Sequence, residues 1–169
     1  VSTAFPGRIN RGGDGLPVAL AMHVRAPGDR FEHWRVDGVL AGAAFAAAKR
    51  SMQVLREDSA GRHVLWRGFV LRLDPLRSPD YVLNLNNAQP LLFVVARYHA
   101  DTGLEPLQVT ASLDEAQALD STDLRGADEH VLQLPMPPDI GMRVAAFTQE
   151  HYRPPERKGR RRRGPRDGA

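Results

Sequence analysis

Leu91-Leu92-Phe93-Val94-Val95-Ala96 runs for six residues without a polar side chain, in a chain whose other extended segments alternate. A strand buried on one face alternates, whereas a strand apolar on both faces belongs in the middle of a sheet that is covered on each side. Asn87-Ala88-Gln89-Pro90, rich in turn formers, leads the chain into the run. The run is therefore the predicted central strand.

Upstream, Val18, Leu20, Met22 and Val24 alternate with Ala19, Ala21 and His23, the pattern of a half-buried strand. Pro27-Gly28-Asp29 is a turn, and Trp34 and Val36 carry a second strand to Leu40 with a bulge at Gly38, where the phase slips. Ala41 to Arg50 reads as a connector with one helical turn, and Met52 to Arg56 as a third strand stopped by Asp58, Ser59 and Gly61. Val64 and Trp66 share one phase while Phe69, Leu71 and Leu73 share the other, so a bulge at Gly68 keeps both sets on the core side. Asp74-Pro75 and Ser78-Pro79 bracket a loop. Tyr81, Leu83 and Leu85 then alternate with Val82, Asn84 and Asn86 as a further strand.

Downstream, Leu107, Val109 and Ala111 predict a strand with Gln108 and Thr110 outward. Ser112-Leu113-Asp114-Glu115 has the capping-box pattern, which predicts a helix from Leu113 to Leu119. Ser121 to Glu129 is a polar loop and Val131 to Leu134 the last strand. Pro137-Pro138-Asp139 opens a final helix in which Ile140, Val144, Phe147 and His151 form one buried stripe, ended by Pro154-Pro155. About seven to eight strands with short links and one substantial helix predict an α+β fold: a mostly antiparallel β-sheet or partial barrel closed by a C-terminal α-helix. A barrel capped as in a pleckstrin-homology domain is one compatible form.

The chain has 169 residues, 42% hydrophobic and 25% charged, enough for one core, which is predicted to occupy residues 16–153. Residues 1–15, with four glycines and no hydrophobic period, read as a flexible leader, and residues 154–169 as a disordered Arg-rich tail. From Arg153 onward there are eight basic residues against two acidic, leaving 15 basic against 18 acidic before it. The basic isoelectric point describes that tail and does not make the body a nucleic-acid binder. Absence of Cys excludes disulfides, thiol catalysis and Cys-held clusters. No apolar stretch approaches the roughly 20 residues of a membrane span, and no signal-peptide pattern opens the chain, so a cytoplasmic location is expected.

Six histidines lie scattered without metal-ligand spacing, Asp128-Glu129-His130 reads as a solvated junction, and no Gly-x-Ser-x-Gly elbow is present. No catalytic residue, metal or cofactor is expected. Asn84, Asn86, Asn87 and Gln89 crowd carboxamides around one turn, where they either shape the turn or bind a peptide edge, and Trp34 either packs in the core or faces a partner. Arg157, Lys158, Arg160, Arg161, Arg162 and Arg163 form a solvated terminus or an anion-binding arm for RNA, anionic lipid or an acidic protein face; no aromatic interleaves them for base stacking.

Taken in order, Tyr81 to Leu85, Gln89 to Val95, Asp114-Glu115-Ala116, Leu134-Pro135-Met136-Pro137-Pro138-Asp139-Ile140 and Glu150-His151-Tyr152-Arg153-Pro154 resemble the landmarks of a proteobacterial domain-of-unknown-function family numbered 3305. Pro17-Val18-Ala19 and the Trp34 strand also fit. Genes of that family stand beside those of molybdenum-containing formate dehydrogenases, and no catalytic residues carry over from it. The resemblance thus implies a non-catalytic accessory or assembly domain whose partner is a redox-enzyme subunit or maturation factor; the alternative is a nucleic-acid or anionic-surface binder acting through the tail.

Overall fold

The computed structural model describes residues 15–25, 33–122 and 129–154. The expected leader, the Pro27-Gly28-Asp29 turn and the arginine tail therefore lie outside the described residues. Alternation makes β1 (Leu16–Arg25), whose Val18, Leu20, Met22 and Val24 are all buried, the first three in the main core. It pairs with β2 (His33–Ala41) on one side and β4 (Gly61–Leu71) on the other, and β3 (Ser51–Asp58) adds to β4, giving an antiparallel sheet ordered β2-β1-β4-β3.

Both predicted bulges are present. Ala21 pairs with Gly38 and Met22 with Val36, so Asp37 is the extra residue in β2. Val18 pairs with Phe69 and Leu20 with Trp66, which leaves Arg67 and Gly68 opposite Ala19 and puts Phe69 and Leu71 back on the core side. Gly68 has φ +88, a conformation that L side chains rarely adopt.

Between β4 and the next strand the chain makes a 3-10 turn (Pro75–Arg77) and a helix, α1 (Ser78–Leu85). The expected strand at Tyr81 to Leu85 is thus replaced by helix. Pro79 in the first turn and Asp80 near the positive helix end favour that state, and the buried residues Ser78, Tyr81 and Asn84 recur every three positions while Leu83 turns outward. After α1, β5 (Leu91–His99) is the centre of a second antiparallel sheet, ordered β6-β5-β7, with β6 spanning Gly103–Thr110 and β7 Glu129–Pro135. Its two apolar faces have separate destinations. Leu92, Val94 and Ala96 join the main core, while Phe93 and Val95 pack with Ala116 of the helix α2 (Leu113–Thr122).

α2 is longer than the expected Leu113 to Leu119. It also covers the face to which Thr110 points, so Thr110, predicted outward, is fully buried. The Ser112 hydroxyl caps the helix by accepting from the Glu115 amide at 3.1 Å. The second arm of the capping box is rerouted, because the Ser112 amide donates to Thr110 Oγ1 and the Glu115 carboxylate accepts from Thr110 Oγ1 at 2.6 Å and Gln108 Nε2 at 3.0 Å.

The two sheets share one core, with β2 beside β7 and β4 beside β6. They are two antiparallel sheets of four and three strands, as the expected α+β fold requires, and they do not close into a barrel. The C-terminal helix α3 (Pro138–His151) packs on α1 and buries Ile140, Val144 and Thr148, but Phe147 is only partly buried, with its ring 4.3 Å from that of His151. Among the described residues no helix is long and apolar enough to cross a membrane.

Candidate partner-binding surface

α1 is held in place by its own polar residues. Asp74 accepts from the Leu76 amide at 2.9 Å and so caps the 3-10 turn that leads into the helix. Tyr81 is fully buried, sits edge-on to Phe147 of α3 with centroids 6.2 Å apart, and accepts from the Asp74 amide at 3.1 Å. Asn84, also buried, uses its whole carboxamide: Nδ2 donates to the carbonyls of Leu91 at 2.7 Å and Ala111 at 2.8 Å, and Oδ1 accepts from the Leu91 amide at 2.9 Å. One side chain thereby ties the helix to the start of β5 and the end of β6.

A polar seam joins the first turns of α1 and α2. Arg77 lies 3.2 Å from Asp114 and 3.7 Å from Asp80, and Ser112 donates to Asp80 at 2.8 Å. The positive ends of two helices are thus answered by carboxylates of the chain itself. Sequence reasoning missed this seam; the Ser-Pro-Asp helix start was the available signal.

With Tyr81 and Asn84 turned inward, α1 leaves Leu83 69% exposed, and Leu76, in the 3-10 turn before the helix, is 87% exposed. Asn86, Asn87 and Gln89 follow directly, all exposed. Of the four carboxamides singled out from the sequence, three therefore lie exposed just beyond the end of α1, whereas Asn84 is a buried structural clamp.

Trp34 is not among them. It lies on the core-facing side of β2, half-buried, with its ring against Gly103, the first residue of β6 and the partner of His99 at the far end of β5, and with the Arg62 guanidinium 5.9 Å from the ring centroid. β5 separates it from the Asn84 end by eight residues, about 26 Å of strand. The ring packs against the core and part of it stays exposed. Arg157, Lys158, Arg160, Arg161, Arg162 and Arg163 lie outside the described residues. Beside α3, a hollow of about 10 Å³ lined by Leu16, Leu71, Leu73, Ile140, Arg143 and Val144 has room for little more than one water. Among the described residues no group of three or more metal-ligating side chains converges.

Burial pushes the Tyr81 hydroxyl up from 10.0 to about 12, the bond from the Asp74 amide opposing that shift. Native Tyr81 keeps its proton where the unfolded chain has lost it, so this group's contribution is constant below pH 10 and is lost as pH rises toward 12, by about 2 kcal/mol. Tyr81→Phe should therefore show a flatter fall in stability over that interval. Urea denaturation at successive alkaline pH values checks this, with Tyr98 and Tyr152 common to both proteins.

These features define a two-sheet α+β domain in which a short helix is clamped from within and leaves Leu83 and the carboxamides that follow it exposed. The chain belongs to the family described as Protein of unknown function (DUF3305), whose family model matches residues 17–163. No curated protein and no solved structure matches it.

Proposed function

We propose that this chain is a non-catalytic accessory or assembly domain that docks a protein partner on the outer face of α1, in the service of a molybdenum-containing formate dehydrogenase system. The observation that carries the reading is the exposure of Leu83 and, directly after it, of the carboxamides of Asn86, Asn87 and Gln89, on a helix whose inner side is fixed by Tyr81 and Asn84, with Leu76 exposed in the turn before it. Interfaces join an apolar centre to a polar rim, and a pre-ordered helix loses little entropy on docking. The formate dehydrogenase setting rests on the family resemblance.

The test is capture from the native host with the full chain as bait. An oxidoreductase subunit or maturation factor should be retained by the wild-type chain and reduced roughly tenfold by Leu83→Asp, which alters an exposed position and leaves the core intact. Deletion of the gene should lower formate oxidation. Recovery of neither class of partner, with formate oxidation unchanged, overturns the proposal.

A further inference from the structure

β3 stands apart from every other strand because all eight of its residues are exposed. The cause is the unequal width of the two sheets: β4 lies beside β6, so among the described residues the next strand out, β3, has no strand opposite it. Met52 pairs with Trp66 and Val54 with Val64, residues that also pair with the core residues Leu20 and Met22, so Met52 and Val54 point to the core side yet are 42% and 45% exposed. Leu55, the bulged residue between Val54 and Arg56, is 56% exposed. Among the described residues no strand pairs with the outer edge of β3. The neighbouring edge of β6 is treated otherwise, since Arg50 lies over the Phe69 ring and donates to the Leu107 carbonyl. Open edges in soluble proteins are normally short, charged or covered, and an edge with three exposed apolar side chains at its middle invites another strand.

We propose that the occupant is a second copy of this chain, joined β3 to β3 antiparallel about a two-fold axis between Val54 and Leu55. The charge order of the segment is self-complementary: Lys49 leads into β3, and Glu57 and Asp58, the latter also paired with Arg56 at 2.6 Å, end it. Antiparallel pairing lays each basic end beside the partner's acidic end, twice by symmetry.

The bulge fixes the register. Before it, Ser51 and Gln53 face outward and Met52 inward; after it, Arg56 and Asp58 face outward and Glu57 inward, as their partners Arg67, Leu65, His63, Gly61 and Arg62 in β4 require. With the axis between Val54 and Leu55, Gln53 opposes Arg56, Ser51 opposes Asp58 and Met52 opposes Glu57, so every pair shares a face. A register one residue away sets Met52 against Arg56 on opposite faces. The result is a continuous sheet of eight strands, four from each copy. This surface is distinct from the α1 face, so the two proposals stand or fall separately.

The chain has no Cys, so introduced cysteines report cleanly. Sedimentation equilibrium of the full chain over a wide range of concentration should give twice the mass of 18.7 kDa at the upper end. Val54→Lys, at an exposed position, should weaken association by roughly tenfold or more with an unchanged circular dichroism spectrum. Mixing Gln53→Cys and Arg56→Cys chains under mild oxidation should give a cross-linked pair far faster than either alone, since only the mixed pair is directly opposed. A monomer at every concentration, or a dimer that Val54→Lys leaves intact, overturns the proposal. Leu83→Asp should leave the dimer unaffected.

Discussion

Asn84→Ala should lower the stability of this protein by about 3–5 kcal/mol, as read from the midpoint of urea unfolding, although it removes only a small polar side chain. The cost arises in three backbone groups left behind. The Leu91 amide and carbonyl and the Ala111 carbonyl all lose their partner in a site where Asn84 is 7% exposed, and an unsatisfied buried group costs about 1–3 kcal/mol. Asn84→Asp separates size from hydrogen bonding. Its oxygens can still accept from the Leu91 amide, but the one that replaces Nδ2 would meet two carbonyls with no proton to offer. Asn84→Asp should therefore be at least as damaging as Asn84→Ala at neutral pH. A stable Asn84→Asp protein would show that the clamp is not what holds α1.

Gly68→Ala is expected to cost about 2–4 kcal/mol, combining left-handed backbone strain with overpacking against main chain. A Cβ there would lie 2.6 Å from the Lys49 carbonyl oxygen and 2.9 Å from Arg50 Cα, atoms that cannot swing aside as the end of a side chain can. The damage should centre on the entry to β3, so amide exchange at Ser51 to Gln53 should accelerate more than at β1. Gly38→Ala is the control. It sits at the other bulge, but no atom lies within 4 Å of its would-be Cβ, and thermal melts should place it close to the wild type.

Both bulges were legible because a residue inserted into a strand shifts the hydrophobic phase, and a glycine marks the slip. The central strand was legible for a similar reason, six apolar residues requiring cover on both faces. The segment Tyr81 to Leu85 misled because apolar residues at 81, 83 and 85 satisfy a strand, while Ser78, Tyr81 and Asn84 satisfy a helix; in eight residues the two periods are not separable, and the packing of Tyr81 against Phe147 decides. Thr110 was misplaced because the helix that buries it starts three residues later and folds back over its face. The candidate surface was half visible. Asn86, Asn87 and Gln89 are where a turn would put them, but the clamp at Asn84 reaches strand ends 7 and 27 residues away, and Trp34 meets Gly103 across the core; neither contact leaves a local pattern.

The order of the strands along the chain sets a problem for synthesis. The first sheet is complete at Leu71, yet the apolar face formed by Val18, Leu20, Met22, Val64 and Phe69 shares its core with the later elements α1, β5, β6, β7 and α3, the last of which buries Val144. At about 5–20 residues per second on the ribosome, the nascent chain carries that face bare for roughly 4–15 seconds. During that interval the open edge of β3 and the uncovered face belong to the same unfinished sheet, so neighbouring ribosomes on one message bring together the surfaces most prone to join wrongly.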